Sequence, residues 1–113
     1  MITYWHNPRC SKSRAGLAWL EEKGVEADVR LYLKDTPSRA DIKAVQTALG
    51  VPAITMMRSG EAVFKALGLT KDSAEDTLLD AMAANPILIE RPIAIKGGKA
   101  AIGRPAEALG ALL

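Results

Sequence analysis

The sequence of 113 residues contains one cysteine, Cys10, and one histidine, His6. A single cysteine cannot form a disulfide within the chain, so the fold must rest on its apolar core, as is usual in a reducing compartment. These two residues also fall short of the ligand set of a structural zinc site, and we therefore expect no metal. Any disulfide chemistry at Cys10 requires a thiol from a second molecule.

Long apolar runs are also missing. No segment approaches the ~20 consecutive apolar residues of a membrane-spanning helix. Met1 leads directly into an apolar, aromatic stretch without the basic region and cleavage site of a signal peptide. We therefore expect a cytoplasmic protein with no membrane partner.

The net charge of +2 is too small an excess to predict binding to nucleic acid. The composition, 49% hydrophobic and 25% charged, is typical of a globular protein. Its length suits a single domain over residues 1–113. Nothing in the pattern indicates an obligate dimer, and we expect a monomer.

Charge is uneven around the cysteine. The first acidic residue is Glu21, whereas Arg9, Lys12 and Arg14 all lie within four positions of Cys10. This segment is therefore positively charged.

Periodicity and turn residues predict the order β, α, β, several α, β, β, α. The predicted strands are residues 2–6, 25–33, Ile93–Lys96 and Lys99–Ile102, and the predicted helices are residues 11–23, 38–50, several pieces over 51–84, and a short one from Pro105. Ser38 with Asp41, and Ser73 with Asp76, have the spacing of helix N-terminal capping boxes.

In the second strand, alternation predicts that Val29, Leu31 and Leu33 are buried and that the residues between them, Tyr32 included, are exposed. The first two strands alternate with a helix and should pair in parallel, whereas Gly97 and Gly98 predict an antiparallel hairpin between the last two. The sequence predicts an α/β fold: a mixed four-stranded sheet covered by helices, with a helical insertion between the second and third strands.

Cys10 follows a turn at Asn7 and Pro8 and directly precedes the first helix. Its thiolate is the reactive species, and lowering the thiol pKa by two units requires about 2.7 kcal/mol. A helix N-terminus supplies only ~0.3–1 kcal/mol. We expect Arg9, a further arginine and the Ser13 hydroxyl, as a donor to the sulfur, to supply the rest.

Two alternatives concern these residues. A lone intracellular cysteine is commonly a small buried hydrophobic residue. The hydroxyls and cations around Cys10 favour a reactive thiol over that interpretation. His6 could stabilise the thiolate, but a histidine at the end of a strand is more often structural, and we favour that role.

Residues 6–13, His-Asn-Pro-Arg-Cys-Ser-Lys-Ser, resemble the active-site loop of the ArsC arsenate reductases, which have a thioredoxin-like fold. The resemblance spans the chain and includes residues 31–33, 37–39, 57–58, 85–93 and 103–105.

The resemblance implies that Cys10 attacks arsenate while Arg58, Arg91 and Arg104 hold the oxyanion. It also implies a cis peptide bond before Pro92, facing the cysteine. No bound cofactor is expected. Glutathione would be a co-substrate, and because Ser13 replaces the second cysteine of a C-x-x-C pair, glutaredoxin would complete the reduction to arsenite.

Two other functions stay open. The first is a glutathione-dependent thiol reductase of the same family with another substrate, against which the three arginines argue. The second is a redox-sensing regulator that binds RNA polymerase. Such regulators typically carry a C-x-x-C switch, whereas this chain has Cys10-Ser-Lys-Ser13.

Overall fold

The computed structural model describes residues 1–113. Its elements, in chain order, are β1 (Ile2–Trp5), α1 (Ser11–Glu22), β2 (Ala27–Arg30), α2 (Arg39–Leu49), a 3₁₀ helix (Ala53–Met56), α3 (Ala62–Ala66), α4 (Glu75–Ala84), a second 3₁₀ helix (Pro86–Leu88), β3 (Ile93–Lys96), β4 (Lys99–Ile102) and a third 3₁₀ helix (Ala106–Leu112). No helix is both long and apolar enough to cross a bilayer.

The chain divides into two compact units, one formed by residues 1–35 and 91–113 and the other by residues 36–90. The first unit contains the whole sheet, and the second is the helical insertion. The single domain over residues 1–113 stays a prediction.

The sheet of the first unit has the strand order β2-β1-β3-β4. β1 pairs in parallel with β2 and antiparallel with β3, and β3 and β4 form the hairpin that Gly97 and Gly98 predict. Gly97 has a φ of 60°, which an L side chain rarely adopts. The predicted mixed four-stranded sheet, with helices between the second and third strands, is confirmed.

The core of the first unit lies between the sheet, α1 and the third 3₁₀ helix. Its buried members are Ile2, Tyr4, Leu20, Ala94, Ala101, Leu109 and Leu112. Alternate residues of β1 face this layer because strand side chains alternate between the two faces of a sheet. The packing holds the start of α1 beside the end of β1, where Cys10 lies.

The prediction for residues 25–33 is wrong in both length and burial. β2 ends at Arg30, and residues after it turn, with the backbone N–H of Lys34 donating to the Leu31 carbonyl over 2.9 Å. Tyr32 is fully buried, whereas Val29, Leu31 and Leu33 are 41, 38 and 41% exposed. The pattern is inverted because the Tyr32 ring stacks against the Trp5 ring, with centroids 6.4 Å apart.

In the second unit, α2 begins with the predicted capping box, in which the Ser38 hydroxyl accepts from the Asp41 N–H. The equivalent prediction for Ser73 is wrong. Its hydroxyl accepts from the Thr70 N–H over 2.9 Å and closes a turn, and α4 begins later, at Glu75. The final helix, predicted from Pro105, is a 3₁₀ helix that begins at Ala106.

α2 and α4 are joined by side-chain contacts. Arg39 pairs with Asp76 and Asp80, and the Gln46 amide donates to the Glu75 carboxylate over 2.9 Å. The Glu75 carboxylate also accepts from the Ala53 backbone N–H over 3.0 Å. One carboxylate therefore ties the first 3₁₀ helix of this unit to both α-helices.

Candidate active site

The loop from His6 to Cys10 leaves the carboxyl end of β1 and enters α1. The His6 N–H donates to the Arg30 carbonyl over 2.9 Å, which continues the pairing of β1 with β2 by one residue. Asn7 shapes the turn, because its carbonyl accepts from the Cys10 N–H over 3.0 Å and its Oδ1 accepts from the Arg9 N–H over 3.1 Å. The two hydrogen bonds hold the backbone of Arg9 and Cys10 in the turn, next to the start of α1.

Cys10 occupies the N-cap of α1 and is partly exposed. Its carbonyl accepts the first helical hydrogen bond, from the Arg14 N–H over 3.0 Å. The backbone N–H groups of Lys12 and Ser13, in the first turn of the helix, lower the pKa of its thiol. These N–H groups lack carbonyl partners at the start of a helix, and an anion is the partner they favour.

Two arginines of the same unit lie beside the sulfur. Arg91 Nε donates to Cys10 Sγ over 3.2 Å, and Arg104 Nη2 lies 4.0 Å from the same atom. Arg104 Nε donates to the Arg91 backbone carbonyl over 2.7 Å, which holds the Arg104 guanidinium beside the backbone of Arg91. The structure therefore brings together three of the predicted site residues.

The surroundings of Cys10 lower the pKa of its thiol. Burial raises the pKa of the Cys10 thiol, but the backbone N–H groups of Ser13 and Lys12 and the Arg91 guanidinium outweigh burial and bring the pKa below its usual value. A larger fraction of the thiol is therefore thiolate at neutral pH, and the thiolate is the nucleophile.

The Ser13 side chain does not act as predicted. Its hydroxyl is fully buried, is hydrogen-bonded to His6 Nδ1 over 2.7 Å, and accepts from the Asn7 N–H over 3.0 Å. The Tyr4 hydroxyl donates to the Ser13 carbonyl over 2.6 Å. The hydroxyl is therefore bonded within the loop, and it is the backbone N–H of Ser13 that lowers the pKa of the Cys10 thiol.

His6 is 8% exposed. Burial, and then the nearby Arg14 guanidinium, hold the pKa of its imidazole below the usual value, so the ring is neutral at neutral pH. Its hydrogen bond to Ser13 is consistent with the structural role that its position at the end of a strand predicts.

The peptide bond between Arg91 and Pro92 is cis, which confirms the prediction from the resemblance; the bond between Arg104 and Pro105 is also cis. Pro92 lies between two glycines. A methyl group added at Gly16 would come 3.1 Å from Pro92 Cγ, and one added at Gly103 would come 2.7 Å from the same atom. This close packing places Arg91, the preceding residue, against α1.

Arg9 and Arg58 have different surroundings from those of Arg91 and Arg104. Arg9 is exposed, and the further arginines expected at the sulfur are Arg91 and Arg104, whose guanidinium groups lie beside Sγ. Arg58 belongs to the second unit, where its Nη2 lies 2.5 Å from the Glu61 carboxylate. Its role at the oxyanion stays a prediction.

Sequence reasoning missed Tyr4, Gly16 and Gly103. The available signal was Gly16, because a glycine inside a helix costs ~1 kcal/mol relative to alanine and so suggests a packing requirement. Tyr4 offered no signal, since an aromatic residue in a strand is ordinary.

The arrangement joins a reactive thiolate to donors for an anion. A tetrahedral oxyanion could take hydrogen bonds from the guanidinium groups while the sulfur attacks its central atom. No group of three or more His, Cys, Asp or Glu side chains converges to hold a metal ion.

Three known proteins illustrate what this chain is similar to. An arsenate reductase of Neisseria meningitidis serogroup A is 46% identical over 114 residues, covering 99% of this chain and 97% of that protein. The uncharacterized protein YfgD of Escherichia coli is 45% identical over 108 residues, covering 94% of this chain and 91% of that protein. The solved structure of an arsenate reductase from Vibrio cholerae has a TM-score of 0.94 and 41% identity, covering 99% of this chain and 97% of that one.

These likenesses span both units and confirm the thioredoxin-like fold. The family model described as the ArsC family matches residues 5–112, nearly the whole sequence. With the motif around Cys10 and the two arginines at its sulfur, the comparison identifies this chain as a member of the ArsC family.

Proposed function

We propose that this protein reduces arsenate to arsenite, with Cys10 as the nucleophile. The observation that carries the proposal is the contact between Arg91 Nε and Cys10 Sγ at the N-terminus of α1. Relatives that are 46% identical over nearly their whole length are arsenate reductases. Attack on an oxyanion requires a nucleophile and groups that bind negative charge, and the Cys10 thiolate and the guanidinium groups provide these.

In the first step the Cys10 thiolate attacks arsenic. The sulfur electron pair forms an S–As bond, one As–O bond breaks, and the oxygen leaves as hydroxide, which takes up a proton to become water. Arg91 and Arg104 would stabilise the negative charge of the oxyanion as it develops. Arg58 is proposed for the same task on the basis of its sequence motif alone.

In the second step glutathione supplies electrons. Its thiolate attacks the Cys10 sulfur, the electron pair of the S–As bond passes to arsenic, and arsenic leaves as arsenite in the +3 state. The two sulfurs form a mixed disulfide. An external thiol is needed because Cys10 is the only cysteine in the chain.

In the third step a glutaredoxin thiolate attacks the glutathione sulfur of the mixed disulfide. Cys10 leaves as a thiolate and is ready for the next arsenate, and further glutathione reduces glutaredoxin and ends as glutathione disulfide. Such a cycle belongs in a reducing cytoplasm, with the protein acting as a monomer, and both remain part of the proposal.

A coupled assay tests this function. Purified protein is supplied with arsenate, glutathione and glutaredoxin, and arsenite is measured directly. We expect turnover with wild-type protein and with Lys71→Ala, a control at an exposed position of the second unit. Cys10→Ser should abolish it.

Arsenite production by Cys10→Ser at the wild-type rate would refute the assignment. A protein that reduces a glutathione mixed disulfide but not arsenate would instead be a thiol reductase with another substrate. Capture of RNA polymerase without any thiol-dependent turnover would support the regulator.

A further inference from the structure

A groove of about 370 Å³ runs beside the loop that presents Cys10. Residues 6–9 form one wall, and Leu31, Leu33 and Lys34 form the other. The two walls are joined where the His6 N–H donates to the Arg30 carbonyl over 2.9 Å. The groove therefore lies near the end of β1, and the wall formed by residues 6–9 directly precedes Cys10 in the chain.

The lining combines apolar surface with positive charge. Leu31 and Leu33 are 38 and 41% exposed, because the chain turns after β2 and directs Tyr32 inward instead. Arg9 and Lys34 contribute the charge, and no acidic residue lines the groove. A ligand that matches this surface carries carboxylates and a short apolar or neutral portion.

We propose that this groove binds glutathione, the anionic thiol peptide of the second step. The inference rests on the proposed function and adds the place at which its co-substrate is recognised. Glutathione carries two carboxylates and one ammonium, so its net charge is opposite to that of the Arg9 and Lys34 pair. The groove volume falls within the range of small-molecule sites.

The position of the groove also suits the chemistry. Arg9 lines the groove and is bonded to Cys10, and consecutive Cα atoms are about 3.8 Å apart. The cysteine of glutathione is the central residue of the tripeptide. Because Cys10 follows Arg9 directly and is partly exposed, a peptide held along residues 6–9 would lie close enough for its thiol to reach the Cys10 sulfur.

Binding can be tested without turnover. S-Methylglutathione retains both carboxylates but has no thiol to react, and its binding to the full chain can be followed by NMR titration. We expect chemical-shift changes concentrated in residues 6–9 and 31–34. Lys34→Glu should weaken binding about fivefold, and Leu33→Asp should weaken it at least as much, since both positions are exposed and both changes add negative charge.

Lys71→Glu provides the matched control, because it makes the same charge change at an exposed lysine of the second unit. Its affinity should equal that of the wild type within twofold. In the coupled assay Lys34→Glu should raise KM for glutathione and leave KM for arsenate unchanged.

Three results would contradict the groove as the glutathione site. They are chemical-shift changes outside residues 6–9 and 31–34, an absence of binding, and equal affinities of Lys34→Glu and Lys71→Glu for S-methylglutathione. The two proposals fail separately. Binding in the groove without arsenate reduction would refute only the substrate, whereas arsenate reduction with binding outside the groove would refute only this inference.

Discussion

Arg91 Nε donates to Cys10 Sγ over 3.2 Å, although 81 positions separate the two residues in the sequence. Two structural features produce this contact. Pro92 packs closely against Gly16 of α1, and Cys10 stands at the N-cap of the same helix. The sulfur therefore receives backbone donors from one segment and a guanidinium from another, and both favour the thiolate.

The first prediction compares the effects of Arg91 and Arg104 on the pKa of the Cys10 thiol. Arg91→Ala should raise the pKa of the Cys10 thiol more than Arg104→Ala, because Arg91 Nε lies 3.2 Å from the sulfur and Arg104 Nη2 lies 4.0 Å away. We expect the alkylation rate at pH 6.5 to fall about fivefold in Arg91→Ala, as for the loss of one partly exposed charge pair. Iodoacetamide kinetics against pH measure this. Arg9→Ala should change the rate less than either, and a larger effect of Arg9→Ala would contradict the geometry.

The second prediction concerns the residues that follow β2. Tyr32→Ala should lower the free energy of unfolding by about 3 kcal/mol or more, because it empties a fully buried aromatic site. Leu31→Ala should cost less than about 1 kcal/mol, since Leu31 is 38% exposed. Urea denaturation compares the two variants. The alternation in the sequence predicts the reverse order. Comparing the two variants therefore tests whether Tyr32 or Leu31 is the buried residue.

That inversion indicates which features could be predicted from sequence. The α2 capping box at Ser38 and the turn at Gly97 depend on residues close together in the chain, and both predictions are confirmed. The burial of Tyr32 depends on a ring that lies 27 positions earlier, Trp5, and local alternation carries no information about that contact.

The candidate site divides in the same way. The cations, turn and helix start around Cys10 are local and predict a reactive thiol. The placement of Arg91 and Arg104 at the site is implied only by the family resemblance. Their local sequence does not indicate which residue they contact. The prediction that the Ser13 hydroxyl donates to the sulfur is wrong, because its hydrogen bonds to His6 and Asn7 depend on how the loop closes.

The third prediction tests the packing of α1. Gly16→Ala should destabilise the protein by about 1–3 kcal/mol although alanine favours helices, because its methyl group would collide with the Tyr4 hydroxyl and crowd Pro92. Gly60→Ala is the matched control, since nothing lies within 4 Å of a Cβ at that position. Urea denaturation should place Gly60→Ala within about 0.5 kcal/mol of the wild type. A stabilised Gly16→Ala would refute the close approach.

The fourth prediction is a pH dependence of stability. Burial lowers the pKa of His6 below its ordinary value of 6.5, so the unfolded chain binds a proton before the folded chain does. The stabilisation is complete above pH 6.5 and is lost as the pH falls through the lower folded pKa, with a slope of at most about 1.4 kcal/mol per pH unit. His6→Gln removes this titration. Urea denaturation between pH 7 and 5 should show a smaller slope for the variant, and equal slopes would contradict the burial of a neutral ring.

The last prediction separates the two ways in which Ser13 could serve Cys10. Ser13→Ala removes the hydroxyl that bonds His6 Nδ1 and the Asn7 N–H, and leaving these buried groups without a partner should cost about 2 kcal/mol of stability. The Ser13 backbone N–H, which lowers the pKa of the Cys10 thiol, is retained.

The alkylation profile of Ser13→Ala should therefore shift less than that of Arg91→Ala, while its urea midpoint falls. Ser11→Ala, which removes an exposed hydroxyl from the residue next to the same cysteine, should change neither measurement. A raised thiol pKa with unchanged stability in Ser13→Ala would mean that the hydroxyl acts on the sulfur, as the sequence alone predicts. Lost stability with an unchanged thiol pKa would instead show that the Ser13 hydroxyl stabilises the loop, while the Ser13 backbone N–H stabilises the Cys10 thiolate.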